Sequence, residues 1–287
     1  MITLICDSHG IGYRSHHSTG SLDSGIAFGF LSTVLQLGER YRTNQLVFAW
    51  DGPGSLRKKL FPAYKISRDV KTQEEVAERM MIHAQFNALR KHILPKLGFC
   101  NHFQQNGFEA DDLVASAIIN NPAKSFVIVS SDHDLFQLLQ YHNCKGQHML
   151  SNGKLMTSTS FMAEYRIPTR NWATVKAIAG CPGDGVIGVP GVGEPTAIKF
   201  LLNEMPTTSK KWQFISAEEN MRLIHRNYKL VRLPFPGVKP LTIGKDSFDE
   251  KTVQEVFGDL GFNSFVAGEQ RERWARFCRG EFVRGGV

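Results

Sequence analysis

Three short apolar runs, each closed by an aspartate, constrain the fold of this chain more than any other feature. Ile2–Cys6 runs into Asp7, Leu46–Trp50 into Asp51, and Phe126–Val129 passes through two serines into Asp132. Continuously apolar strands belong to a sheet buried on both faces, and helical patterns between them make that sheet parallel. Ligands of such sheets gather beyond the carboxyl ends of the strands, where these aspartates stand. At 287 residues the chain can bury a large core without disulfides or a structural metal. Its five cysteines, Cys6, Cys100, Cys144, Cys181 and Cys278, are odd in number and contain no CxxC pair. That argues against a secreted disulfide framework and a zinc site, and for a reducing cytoplasm. No basic stretch precedes the first apolar run, so no secretory signal is expected. The apolar stretch Gly25 to Gly38 is too short and too interrupted to span a bilayer.

Beyond the strands, residues 72–98 read as one long helix that Pro95 kinks or shortens near its end. Residues 171–179 and 196–204 read as helices flanking a glycine-rich hairpin from Gly180 to Gly193. Lys210 to Tyr228 and Val253 to Phe262 read as further helices, with a Pro- and Gly-rich loop at 234–250. The arginine-rich last stretch reads as partly disordered.

The carboxylates that stand out are Asp7, Asp51, Glu109, Asp111, Asp112, Asp132, Asp134 and Asp184. Each has an ordinary explanation. Glu109 to Asp112 open a helix, Asp132 and Asp134 precede another, and acids at such positions cap free amides; an aspartate after a strand often marks a turn. Gathered at one end of one sheet, however, they would repel one another unless cations neutralised them. An all-oxygen set selects hard ions such as Mg²⁺ or Mn²⁺, and a pair of such ions suits in-line displacement at phosphorus. The formal charge is nevertheless +7, from 34 Lys and Arg against 27 Asp and Glu. A basic protein with an acidic cleft is the charge pattern of a nuclease.

Between Ser55 and Lys91, nine basic residues stand against four acids. The segment is either a solvated helix face or a surface for a polyanion. Lys65 and Arg68, three residues apart, could reach one phosphate, and Tyr64 could stack on a base or pack. In the hairpin, Gly188, Gly191 and Gly193 would let backbone amides approach phosphates ahead of the helix that carries Thr196 and Lys199. A tight structural turn would look the same.

These pieces, in order, resemble the 5′-nuclease family of flap endonucleases and 5′–3′ exonucleases, in its bacterial and bacteriophage branch and stand-alone form. The matching segments are Asp7, Phe48-Ala49-Trp50-Asp51-Gly52, Phe61-Pro62-Ala63-Tyr64-Lys65 with Arg68, Gly107-Phe108-Glu109-Ala110-Asp111-Asp112, Ser130-Ser131-Asp132-His133-Asp134 and Gly180 to Gly193. The resemblance implies an α/β fold: a mostly parallel central sheet with helices on both faces, a helical arch at about 55–91, and a helix-three-turn-helix DNA clamp. It implies a nuclease core over 1–165, with a DNA-binding and C-terminal region over 166–287 packed on it. It implies metal-dependent hydrolysis of DNA near 5′ ends and at flap junctions. Asp7, Asp51, Glu109, Asp111 and Asp112 would surround a first metal and Asp132 would lie between the sites. Asp134 and Asp184 would face a second metal. Lys65 and Arg68 would act on the scissile phosphate, with Lys65 stabilising charge on the phosphorus. Two Mg²⁺ ions, Mn²⁺ as substitute and K⁺ at the hairpin are the implied cofactors. The implied partner is 5′-flap, nicked or 5′-overhang DNA, bound by a monomer in the cytoplasm, or in the host cytoplasm for a phage-encoded chain.

Three departures stand out. The family usually carries Asp where Cys181 stands, Asn where Gly185 stands, and Lys where Pro195 stands. Cys181 reads as a buried structural thiol, and its presence weakens the expected second metal site. The rival readings are a structure-specific DNA-binding protein with that weakened site, and a PIN-like ribonuclease. A phosphatase is disfavoured because Asp7-Ser8-His9 lacks a second Asp two residues on, and a serine hydrolase because no GxSxG exists.

Overall fold

The computed structural model describes residues 1–19, 25–66 and 72–282. The three apolar runs become β1 (Ile2–Asp7), β2 (Leu46–Trp50) and β4 (Ser125–Val129), joined in one sheet by β3 (His102–Gln104), β5 (Cys144–His148) and β6 (Leu155–Met156). The order is β3-β2-β1-β4-β5-β6, parallel throughout except for β6 against β5. From β1 the chain turns first toward β2 and later toward β4, so the strand order reverses at the carboxyl end of β1. Asp7 ends that strand.

Because side chains alternate across a strand, the sheet divides its apolar residues between two cores. Ile5, Val47, Ala49 and Ile128 face one core; Leu4, Cys6, Phe48, Trp50 and Val129 face the other. Helices α1 (Ser8–Thr19), α2 (Gly25–Tyr41), α4 (Gln73–Ala88) and α5 (Leu94–Leu97) lie on the second side, with α3 (Leu56–Leu60) leading toward α4. Helix α6 (Ala110–Asn120) covers the first side with α7 (Ser158–Tyr165), α8 (Trp172–Ala179), α9 (Glu194–Leu201), α10 (Lys210–Ser216) and α11 (Glu218–Val231). The second core is completed by α12 (Glu250–Asp259) and α13 (Gly268–Arg279). Between α8 and α9 the short pair β7 (Gly180–Cys181) and β8 (Val186–Ile187) forms the hairpin. Among the described residues, no helix is long and apolar enough to cross a membrane.

Four expectations need correction. The single helix over 72–98 is α4 and α5 joined by a widened π turn, Leu89–Ile93. Pro95 has no N–H to give the carbonyl four residues back and its ring crowds that carbonyl, so the preceding turn opens. The helix over 210–228 breaks at Ala217, whose backbone is extended, and the Asn220 amide caps the Phe214 carbonyl at 2.8 Å. The helix over 253–262 runs from Glu250 to Asp259, capped by Asp249. The arginine-rich tail is helical over Gly268–Arg279, with Trp274, Ala275 and Phe277 buried and Arg273 holding Glu39, while the end of that stretch, 283–287, lies outside the described residues. Apolar residues spaced three and one apart turn one face of that helix inward while the arginines stay outside.

Candidate functional site

The site assembles where the strand order reverses. Asp7 Oδ1 accepts the Gly10 N–H at 3.1 Å and Oδ2 accepts the Ser130 hydroxyl at 3.1 Å. A Cβ on Gly10 would lie 2.7 Å from Asp7 Oδ2, so glycine lets α1 start directly over the carboxylate. Asp51 follows β2, and its Oδ1 accepts the Ala110 N–H at 2.8 Å, which fixes α6 to the strand end. Asp132 caps a 3₁₀ helix, His133–Gln140, by accepting the Asp134 N–H at 2.8 Å. Burial, then the neighbouring Asp51 and Asp132, push the Asp7 carboxyl up to about 6. Burial, then Asp132 and Asp7, raise Asp111 well above the usual carboxylate range. Asp7, Asp51, Asp111 and Asp132 therefore share one cleft, whose negative field disfavours charge on Asp7 and Asp111.

The remaining acids carry cations of the chain itself. Glu109 meets Lys65 Nζ at 2.9 Å and the Tyr64 hydroxyl at 2.9 Å. Asp184 accepts the Tyr64 hydroxyl at 3.4 Å and lies 3.9 Å from Lys65 Nζ, and its carbonyl accepts the Lys65 N–H at 2.7 Å. Lys65 is thereby pinned beside the cleft with φ at 53°. The loop before it packs against Gly185, φ 70°, where a Cβ would stand 2.7 Å from the Ala63 carbonyl oxygen. Asp134 Oδ1 meets Lys176 Nζ at 3.0 Å, and burial followed by Asp132 raises its carboxyl.

Asp112 departs from expectation. It is fully buried and receives Arg57 through the two terminal guanidinium nitrogens, at 2.6 and 2.8 Å. It also accepts the Phe235 N–H at 2.7 Å and the Glu109 N–H at 3.1 Å. With both oxygens committed, it anchors Arg57 and caps α6, the ordinary role open to an acid in that turn. Arg57, counted among the basic arch residues, is accordingly buried and does not present its charge to a ligand. Tyr64 is only 3 % exposed, so it packs and cannot stack on a base. Gly188 presses on the Ala179 backbone, where a Cβ would meet carbonyl carbon and oxygen at 2.2 Å. Its missing side chain serves that packing. Gly191, φ 70°, faces open space; Gly193 caps α9; Thr196 is half-buried and Lys199 exposed. Arg68 lies outside the described residues.

Two neighbours of the site were not anticipated. Lys176 is the only charged residue in α8, and that isolation is the signal that could have singled it out. His9 Nδ1 accepts the Asp51 N–H at 3.2 Å, so the ring is neutral on that side, and burial lowers its pKa. It packs edge-on against Trp50 and Phe86.

The donor set can be tested against a metal ion. Among the described residues, no three His, Cys, Asp or Glu side chains close into a finished cage. Where Asp7, Asp111 and Asp132 meet, the groups are all carboxylates that repel one another. A hard divalent cation suits that chemistry and relieves that repulsion.

The family described as "5′-3′ exonuclease, N-terminal resolvase-like domain" matches residues 2–166. The chain belongs to that family. This exonuclease-family chain is 27 % identical over 247 residues to DNA polymerase I of Deinococcus radiodurans, covering 77 % of the chain and 24 % of that protein. It is 29 % identical over 208 residues to the thermostable DNA polymerase I of Thermus aquaticus, covering 69 % and 23 %. It thus spans about a quarter of the length of these curated relatives. Among solved structures, T5 5′-exonuclease with bound zinc superposes with a TM-score of 0.69 at 20 % identity, over 97 % of each chain. Human GEN1 in complex with Holliday junction DNA superposes at 0.60 and 15 %, over 96 % of this chain and 71 % of that one. The exonuclease-family fold is shared with both.

Proposed function

We propose that this chain is a divalent-metal-dependent 5′-nuclease that hydrolyses DNA near 5′ ends and at flap junctions. The observation that carries this reading is the convergence of Asp7, Asp111 and Asp132 at the reversal of strand order, with Lys65 held at the same cleft. Asp7, Asp111 and Asp132 would hold the ion, with Asp51 at their edge. When bound there, Mg²⁺, or Mn²⁺ in its place, supplies a water of lowered pKa and neutralises charge at the phosphorus. Lys65 offers its ammonium to a non-bridging phosphate oxygen, where charge builds as the nucleophile adds. Glu109 and Asp184 hold that ammonium in place beforehand, so little reorganisation accompanies the reaction. Arg68 is assigned to the same phosphate on sequence grounds.

On this reading, residues 1–165 carry the chemistry and 166–287 grip the duplex. The exposed turn at Gly191, the α9 start at Gly193 and Thr196, and Lys199 contact phosphates, and K⁺ sits among hairpin carbonyls. The chain acts as a monomer in the cytoplasm. The test is cleavage of end-labelled 5′-flap, nicked, 5′-overhang and single-stranded DNA, and of matched RNA, with Mg²⁺ and with EDTA. Short products from the DNA 5′ end, lost in EDTA, are expected. Binding without cleavage would favour a DNA-binding module, and RNA cleavage alone a PIN-like ribonuclease.

A further inference from the structure

We propose that Lys176, rather than a second metal ion, neutralises the Asp134 side of the cleft, so that the chain loads one divalent ion. This rests on the nuclease reading, which supplies the first ion at Asp7, Asp111 and Asp132. Lys176 projects from α8, whose neighbouring residues Val175, Ala177 and Ile178 are buried, so its origin is fixed by the core. Its ammonium lies 3.0 Å from Asp134 Oδ1 and 3.1 Å from Glu194 Oε1, with 13 % of the side chain exposed. The indole of Trp172 lies beneath it at 5.9 Å. The other oxygen of Asp134 accepts the buried Cys181 thiol, with Sγ to Oδ2 at 3.6 Å.

Both oxygens of Asp134 are therefore occupied by donors of the chain. To seat an ion there, an ammonium would have to leave two carboxylates and a thiol would have to swing away. What remains is Asp184, already facing Tyr64 and Lys65, and the exposed Asp132. Both of those carboxylates already answer to other groups of the chain, so an ion there would have to draw most of its six oxygens from water. A single ammonium supplies the positive charge locally and needs no loading.

The experiment counts ions rather than products. Mn²⁺ is titrated into the metal-free, full-length protein, with free ion read by electron paramagnetic resonance and bound ion by calorimetry. The expected result is one Mn²⁺ per chain with the spectrum of an isolated ion. In the Lys176→Met/Cys181→Asp variant, whose fold is checked by circular dichroism, the count should rise to two, with the broadening of a close Mn²⁺ pair. Lys176→Arg should still bind one. Two ions in the wild type would overturn the proposal and leave the nuclease reading standing. No bound ion would overturn both. One ion in a folded double variant would show that Lys176 and Cys181 are not what excludes the second. If the double variant does not fold, the wild-type count decides.

Discussion

Asp112→Ala should act first on stability and only through that on activity. Asp112 is 0 % exposed and Arg57 3 %, and their fork-to-fork pair is joined by the Phe235 and Glu109 amides. Arg57 also donates to the Leu230 carbonyl at 2.8 Å and lies 4.9 Å from the Phe235 ring centre. The pair therefore ties α3, α6, the end of α11 and the segment after it into one knot. Truncating Asp112 leaves a guanidinium away from water with only Glu109, 3.6 Å off, to balance it. Breaking a buried pair from one side costs about 3–5 kcal/mol. For a chain of this length that corresponds to a fall in Tm of about 6–10 °C. Thermal melts followed by circular dichroism, without metal, measure it. Arg57→Met with Asp112→Leu should recover at least half of the loss, because apolar groups of similar volume replace buried ion pairs at little cost. An Asp112→Ala protein that melts within about 2 °C of the wild type, yet has lost cleavage, would refute this reasoning and make Asp112 a metal ligand.

By contrast, exposed Asp132→Asn should melt like the wild type while losing Mg²⁺-dependent cleavage; near-normal turnover would remove Asp132 from the metal mechanism. Lys65→Ala should lower the single-turnover rate by about 10²–10³-fold, the effect of one lost oxyanion donor, with a smaller change in DNA affinity; a loss of affinity alone would make Lys65 a positioning contact. The raised carboxyls of Asp7 and Asp111 hold protons in the folded metal-free chain that the unfolded chain releases near pH 4. Their ionisation costs stability as pH rises from about 4 toward 6; an ion competes with the same protons. The increase in Tm on adding Mn²⁺ should therefore grow from pH 5 to pH 7, and a flat profile would count against these carboxylates as the ion's seat. Lys199→Glu should weaken duplex binding and flatten its salt dependence by about one to two phosphate contacts, read from Kd at several salt concentrations.

The sheet's centre was legible because β1, β2 and β4 are buried on both faces and carry the pattern that burial demands. β3 and β5 were not. Three residues, His102–Gln104, give no period to count, and Cys144–His148 looks polar. Yet Gln147 is fully buried because its amide reaches the Ser130 and Asp132 carbonyls at 3.2 and 2.7 Å. Those partners lie 15 to 17 residues away, beyond any local pattern. The acids of the cleft were readable as a set because several share strand ends. Which of them keep their charge free for a ligand was not. That depends on Arg57 finding Asp112 across 55 residues, and on Lys176 finding Asp134 from a different helix.

The interleaving of the two cores bears on the order in which the molecule can mature. Phe48, Trp50 and Phe99 share a core with Trp274 and Phe277, and the Phe277 ring lies so near α2 that a Cβ on Gly38 would come within 2.4 Å of it. A chain leaving the ribosome from its amino end keeps part of that aromatic face open until α13 has emerged. The face is fully covered only once α13 packs on it. Asp51 stands at the tip of the strand that carries Phe48 and Trp50, so its final setting waits for the same event. A ribosome-bound intermediate thus carries the carboxylates without the rigid backing that aligns them.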